Sequence, residues 1–421
     1  MKRLIKNVNV FDGRAEALRE DCTVVIEDNL VKEIIQKEVS EESFDEVIDG
    51  RGMTAMPGMI DAHVHLGHFF SDTYSPAEDM DFGVAASAAV AKEILMAGFT
   101  TIRDAGGVVM GMKKSFDNKL LPGPRIFPSN SAISQTCGHG DSLGHFRRDI
   151  QYQIPTFSVL ADGTDEVRRA VREQLYKGAS QIKIMAGGGC TSKHDPLMTQ
   201  QFSHEEMKAA VESARDYGTY VMAHLYTPAS IKRAIKAGVR SFEHAHMMDD
   251  ECARLLSSEE AFVAPMPQLS KMFPEGTKNI NPKVALVKDH ESDATELINK
   301  YDLKIVFGTD LMLFDTEMKM TDYKAPESLD LTFYKERFGS YKGLLAATGN
   351  CNDLLAMSTY ISPYQEGEIG VLEEGSYADL LLVDGNPVAD LGILADTDNI
   401  RLIMKDGDIY KNTIAGEKSH G

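Results

Sequence analysis

Between residues 58 and 359, short apolar runs of strand length alternate with longer stretches of helical periodicity, a pattern few architectures accept. The strand-like runs are Met59–Leu66, Thr100–Arg103, Arg125–Pro128, Gln181–Met185, Tyr220–His224, Ser241–His244, Phe262–Pro265 and Lys304–Gly308. Helical stretches at Ala85–Ala97, Asp165–Lys177, His204–Tyr217, Pro228–Ala237 and Asp289–Lys300 separate several of them. Thr164-Asp165-Glu166 and Ser203-His204-Glu205-Glu206 carry the residue types that start helices. A strand that returns through a helix lies parallel to its predecessor. Repeated over roughly 300 residues, this predicts an α/β fold, with a (β/α)8 TIM barrel favoured over an open doubly wound sheet.

Residues 1–57 and 360–421 have a different texture. Leu4–Val10 alternates, Cys22–Ile26 is a β-branched run, and Ala378–Val383 and Ile400–Met404 read as strands. Asp12-Gly13, Asp49-Gly50, Asp384-Gly385 and Asp406-Gly407 supply turns. Two β-rich ends around a long middle predict one composite, β-sandwich-like domain built from both termini, since chain ends often lie close together.

Composition excludes several partners. A net charge of −20 argues against nucleic acid or an anionic membrane surface and leaves a small-molecule substrate. No apolar run reaches membrane-spanning length, and polar residues interrupt the basic start before a signal core can form. The five cysteines (Cys22, Cys137, Cys190, Cys252, Cys351) are scattered without a Cys-x-x-Cys pair, which fits reduced thiols and a cytoplasmic location. Gly187-Gly188-Gly189 follows a strand but lacks the Lys-Ser/Thr of a phosphate loop, so it reads as a tight turn over a pocket.

Residues of ligand type sit at the ends of these strands, where barrel enzymes carry their chemistry. His63 and His65 are two apart on the first strand, so both imidazoles face the same side. Lys183 interrupts an apolar run; His224, His244 and Asp310 end later strands. Each has a bland alternative: a strand-end histidine can be a satisfied core residue, Asp310 a helix cap, and Lys183 a snorkelling side chain. Six such coincidences in strand order favour a metal centre.

Several motifs sharpen this: Met56-Pro57-Gly58-Met59-Ile60-Asp61-Ala62-His63-Val64-His65, Gly98-Phe99-Thr100-Thr101-Ile102-Arg103-Asp104, Gly138-His139-Gly140-Asp141, Ile182-Lys183-Ile184-Met185-Ala186-Gly187-Gly188-Gly189 and Gly308-Thr309-Asp310. With the closing Gly370–Leu380 segment, they make the chain resemble the amidohydrolase superfamily over nearly its full length. Within it, the chain is most similar to the binuclear-zinc, prolidase-like subgroup of Xaa-Pro dipeptidases, carboxypeptidase-like and imidazolonepropionase-related enzymes.

The resemblance implies two divalent metal ions, zinc in the first place. His63, His65 and Asp310 would hold the buried ion, and His224 and His244 the more exposed one. Lys183, N6-carboxylated, would bridge them together with a hydroxide that attacks an amide carbonyl. Asp310 would move the proton to the leaving nitrogen; His139 would contact the substrate carbonyl and Tyr226 the substrate carboxylate. His139 and Tyr226 can also be read as packing residues. His246 follows His244 by two, where relatives carry a small or hydroxyl residue, and is read as a neighbour of the site, not a ligand.

The expected activity is hydrolysis of the amide bond of a small carboxylate-bearing substrate, such as an Xaa-Pro dipeptide or an N-acyl amino acid. The same machinery can act on a cyclic amide, an aryl urea or an amide toxin. Deaminase relatives use one metal and lack the strand-four lysine. A different class, an inactive barrel serving as an assembly scaffold, would have shed ligands that this chain keeps. Oligomerisation is common in such barrels, so a homo-oligomer is expected. The stretch from Leu311 to Asp330, which carries Asp315, Glu317, Lys319, Asp322 and Lys324, is expected to shape specificity.

Overall fold

The computed structural model describes residues 1–414 except 38, 71–79, 108, 142–156, 193, 269–272, 275, 279, 315–324 and 326. Asp315, Glu317, Lys319, Asp322 and Lys324 of the 311–330 stretch therefore lie outside the described residues.

All eight expected central strands form, with some ends shifted: Met59–Phe70, Phe99–Asp104, Arg125–Phe127, Ile182–Met185, Val221–Leu225, Ser241–His244, Phe262–Ala264 and Lys304–Ile305. Every pairing among them is parallel. Three further strands join them without having been anticipated: Ala132–Ser134, Ser158–Leu160 and Leu311–Phe314. Strands of three or four residues are too short to show a period.

Among the described residues the ladders form two parallel sheets instead of one closed barrel. The four-stranded sheet runs Leu311–Phe314, Met59–Phe70, Phe99–Asp104, Arg125–Phe127. The seven-stranded sheet runs Ser158–Leu160, Ala132–Ser134, Ile182–Met185, Val221–Leu225, Ser241–His244, Phe262–Ala264, Lys304–Ile305. The seams explain the difference. At one, the Gln181 side-chain amide donates to Asp104 O at 3.0 Å and Phe127 O at 2.9 Å, standing in for a backbone ladder. At the other, single backbone bonds cross, from Ala62 N to Phe307 O at 2.8 Å and from Asp310 N to His63 O at 2.9 Å.

Helices line these sheets, and their termini follow local chemistry. His204–Asp216 opens on a capping box: Ser203 Oγ accepts from Glu206 N at 3.2 Å, and Glu206 Oε2 accepts from Ser203 N at 2.7 Å. The expected Asp289–Lys300 helix forms as Glu291–Lys300, and a further helix that was not anticipated, Pro282–Asp289, precedes it with His290 between them. Strand residues Val64, Ile102, Ile184, Ala223 and Phe242 share one core with helix residues Ile94, Val171, Met207, Ile231 and Leu256. Burial of each of the larger of these side chains contributes about 1.5–3 kcal/mol, which is why the apolar periodicity predicts these elements well.

Strands from both ends of the chain build a third sheet, ordered Asp408–Asn412, Ile400–Lys405, Leu380–Val383, Thr54–Pro57, Lys2–Val10, Arg19–Glu27, Leu30–Ile35, with Glu46–Asp49 also on Lys2–Val10. Its inward residues, among them Ile5, Val24, Ile26, Leu380, Leu402 and Met404, form a core of their own. Arg125 ties this sheet to the parallel layer. Its guanidinium bonds Asp379 at 2.8 and 3.3 Å and Asp406 at 2.7 Å, and lies 4.0 Å from the Tyr377 ring centroid.

Candidate metal centre

Parallel register brings the strand ends together. Met185 pairs with His224 and Leu225 with His244, so successive strands carry Lys183, His224 and His244 toward the same end of the sheet in staggered register. His63 and His65 arrive from Met59–Phe70, and Asp310 from the segment just before Leu311–Phe314. His244, Ala245 and Asp310 hold positive φ angles of 72°, 53° and 55°, a left-handed conformation that costs a non-glycine residue about 1–2 kcal/mol. The surrounding packing imposes that cost where the chain turns its ligand-type side chains inward.

His63, His65 and Asp310 offer three ligand atoms that all lie within 4.8 Å of one another. The imidazole orientation follows from their second nitrogens. His63 Nδ1 is 2.6 Å from Glu243 Oε2, and His65 Nδ1 is 2.9 Å from Gly106 O. A carbonyl and an ionised carboxylate only accept, so each Nδ1 carries the proton and each Nε2 presents a lone pair. Those two Nε2 atoms stand 3.3 Å apart, and Asp310 Oδ1 lies 3.3 Å from each. Three acceptors facing one point can hold a cation between them. Lys183 Nζ, 3.4 Å from His63 Nε2, is buried, and burial lowers its pKa to about 8.

The second histidine pair stands alongside. The His224 and His244 rings are 4.5 Å apart, and the His244 ring is 5.5 Å from that of His63. His224 Nε2 is buried with no hydrogen-bond partner among the described residues, a ring nitrogen left free for a ligand. Burial above all holds His63, His224 and His244 below the ordinary histidine value, hence neutral and able to ligate. This donor set of imidazoles, carboxylate and buried amine fits a divalent transition metal.

His139 and Tyr226 border the same space. The His139 ring stacks on His224 at 4.2 Å and 16°, and it also lies close to Gly189. Its Nδ1 is 3.0 Å from Ser192 Oγ, and burial lowers its pKa to about 4. Tyr226 stacks on His244 at 4.9 Å and 20°, with its hydroxyl 3.3 Å from Cys190 Sγ. His246 is buried, its ring 6.2 Å from that of His244 and its Nε2 3.3 Å from Met266 O. A Cβ on Gly189 would lie 1.9 Å from the His139 ring. Gly189→Ala should therefore displace His139 and lower turnover about a hundredfold while leaving metal content unchanged, as elemental analysis of the variant checks.

Reading the strands for apolar period and ligand types passed over the groups that hold the ligands. Arg103 and Glu243 are fully buried, and a charged residue inside an apolar strand run is the signal that marks them. Lys283 gave no such signal. It donates to the carbonyls of Gly189 at 2.7 Å, Ser192 at 2.6 Å and Asp195 at 2.8 Å, clamping the loop around His139.

Comparison with known proteins agrees with this architecture. The Amidohydrolase family matches residues 54–410. Ochratoxinase from Aspergillus niger is 31% identical over 378 residues, covering 85% of this chain and 75% of that protein. The crystal structure of a prolidase complexed with N-methylphosphonate-L-proline superimposes with a TM-score of 0.86 at 32% identity, over 98% of this chain and all of that one. A Xaa-Pro dipeptidase with methionine bound in its active site gives a TM-score of 0.84 at 29% identity, over 98% of this chain and 100% of the other. A family match across residues 54–410, with a relative 31% identical and covered over three quarters of its length, makes this protein a member of the amidohydrolase family.

Proposed function

We propose that this protein is a metal-dependent hydrolase that cleaves the amide bond of a small carboxylate-bearing substrate, an Xaa-Pro dipeptide or an N-acyl amino acid. The observation that carries the reading is the convergence of two imidazole lone pairs and a carboxylate on one point, at 3.3 Å, beside a buried lysine. His63, His65 and Asp310 hold one divalent ion in this reading, His224 and His244 a second, and N6-carboxylated Lys183 serves both. Zinc suits such ligands. When bound, the ions supply Lewis-acid polarisation and lower the pKa of a water.

The chain's own residues do the rest. A buried amine with a pKa near 8 is partly neutral at physiological pH, the form that can take up carbon dioxide. Asp310 accepts the proton of the attacking water and passes it to the leaving nitrogen. His139 offers an N–H where the carbonyl oxygen gains charge. The Tyr226 hydroxyl donates to the substrate carboxylate. The architecture that goes with this reading is a (β/α)8 barrel over residues 58–359, with 1–57 and 360–421 as a composite β-domain. The hydrogen bonds that cross both seams support it.

Prolidase and Xaa-Pro dipeptidase relatives favour the dipeptide reading. The likeness to ochratoxinase favours a second, an amide with a larger apolar part. Cys190, Leu197, Met247, Val284 and Val287, clustered with Tyr226, would face it. Metal content measured with a panel of dipeptides, N-acyl amino acids and amide toxins on one preparation tests both. About two ions per chain with turnover of Xaa-Pro or N-acyl amino acids is the expected result. Two ions with toxin turnover alone moves the substrate class; no retained metal and no turnover leaves the scaffold. Tyr226→Phe should raise KM for carboxylate-bearing substrates about tenfold and leave neutral amides unaffected; an equal effect on both removes Tyr226 from carboxylate recognition.

A further inference from the structure

His63 owes its lone pair to a side chain from another strand, and that side chain owes its orientation to a third. Arg103 is fully buried on Phe99–Asp104. It donates to Ala62 O at 2.5 Å, Tyr220 Oη at 3.3 Å, Ser241 Oγ at 3.0 Å and Glu243 Oε1 at 3.0 Å. Ser241 Oγ, itself an acceptor from Arg103, donates to the same Glu243 Oε1 at 2.6 Å. Both donors thus occupy one carboxylate oxygen, leaving Oε2 to His63 Nδ1 at 2.6 Å.

We infer that Glu243, oriented by Arg103 and Ser241, is a positioning residue that sets the tautomer of His63 and thereby makes its Nε2 a ligand. The metal consequence rests on the proposed function above; the proton assignment does not. Side chains that orient a metal-ligating imidazole typically change affinity about tenfold to a hundredfold when altered.

The geometry gives an unusually selective variant. Glu243→Gln keeps shape and volume but has one acceptor and one donor end. Arg103 and Ser241 demand the acceptor, so the amide NH2 must face His63. Nδ1 then has to accept, the proton moves to Nε2, and the lone pair is lost. A substitution that merely loosened packing would not move a proton from one ring nitrogen to the other.

The test uses full-length wild type and E243Q, histidine-labelled with 15N and stripped of metal at pH 8. Two-bond 1H–15N spectra read the tautomer, with His63→Gln assigning the signal, and zinc titration reads affinity. The expected result is Nδ1–H in wild type, Nε2–H in E243Q, and zinc bound about tenfold to a hundredfold more weakly by E243Q. The same tautomer in both proteins, or Nε2–H in wild type, overturns the inference. If E243Q does not fold, the wild-type spectrum decides alone. A tautomer switch without zinc binding by either protein upholds the positioning role and sinks the metal reading instead.

Discussion

Replacing Lys183 by methionine should abolish turnover and at the same time raise the melting temperature of the metal-free protein at neutral pH. The loss follows from the proposed role. In that reading the ions would not be held without the Lys183 carbamate, and their contribution of several kcal/mol to the transition state would go with them. At about 1.4 kcal/mol per decade, that is at least about a thousandfold in rate. Lys183→Ala, which leaves space, should recover part of the activity with added short carboxylic acids. Full activity in either variant overturns the binuclear reading.

The gain in stability has a separate cause. Burial lowers the Lys183 pKa from 10.5 to about 8, despite the nearby carboxylates of Glu243 and Asp310. Between those two values the unfolded chain holds a proton that the folded chain has released, so wild-type stability rises with pH across the window. Below about pH 8 the whole cost of burying the ammonium is present, on the order of 3 kcal/mol. Methionine carries no such cost. Thermal scans with chelator should show the variant melting higher than wild type at pH 7 and the gap closing by pH 10.5. A gap that does not change with pH would trace the effect to packing instead of charge.

Arg125→Met should be among the most destabilising single changes in the protein. The guanidinium is the buried partner of Asp379, whose side chain is 1% exposed, and it also bonds Asp406. Removing one member of a buried pair typically costs about 3–5 kcal/mol, because the other charge stays desolvated. Contact with the Tyr377 and Tyr364 rings, at 4.0 and 4.9 Å, adds to the loss. Burial tends to raise the Asp406 pKa, but Arg125 outweighs it and holds the carboxyl below its usual value. A depressed carboxylate stabilises the fold above its unfolded pKa, near 4, and that stability is lost as pH falls through the folded value. The deficit of the variant in urea or thermal unfolding should therefore be large at pH 7 and smaller at pH 3. An unchanged melting temperature at pH 7 would show that the two sheets do not depend on this contact.

Much of the scaffold was legible because burial imposes a period on the sequence. The eight central strands and the capping box at Ser203 followed from apolar spacing and local hydrogen-bond chemistry. The Asp406-Gly407 turn, where Lys405 pairs with Asp408, is a two-residue hairpin with both φ angles positive, as that dipeptide favours. Ala132–Ser134 and Ser158–Leu160 escaped notice because a three-residue strand repeats nothing. The parallel α/β layer followed from the sequence, and the ladder of the described strands is left open at two seams; Gln181 crosses one of them through its side chain, which periodicity cannot register.

The sequence by itself determined which residue types reach the ends of the strands. A strand alternates faces, so His63 and His65 had to point the same way, and the parallel order had to gather His224, His244 and Asp310 nearby. The tertiary structure alone decided which nitrogen of His63 carries its proton. That depends on Glu243, 180 positions further along the chain, and on Arg103 and Ser241 filling its other oxygen. It also decided that the His139 ring stacks on His224 and packs close to Gly189. The physical reason is the range of the interaction. Periodicity records what a residue's own strand or helix demands, whereas proton position and ring stacking are set within about 3–4 Å by partners whose distance along the chain leaves no pattern in the sequence.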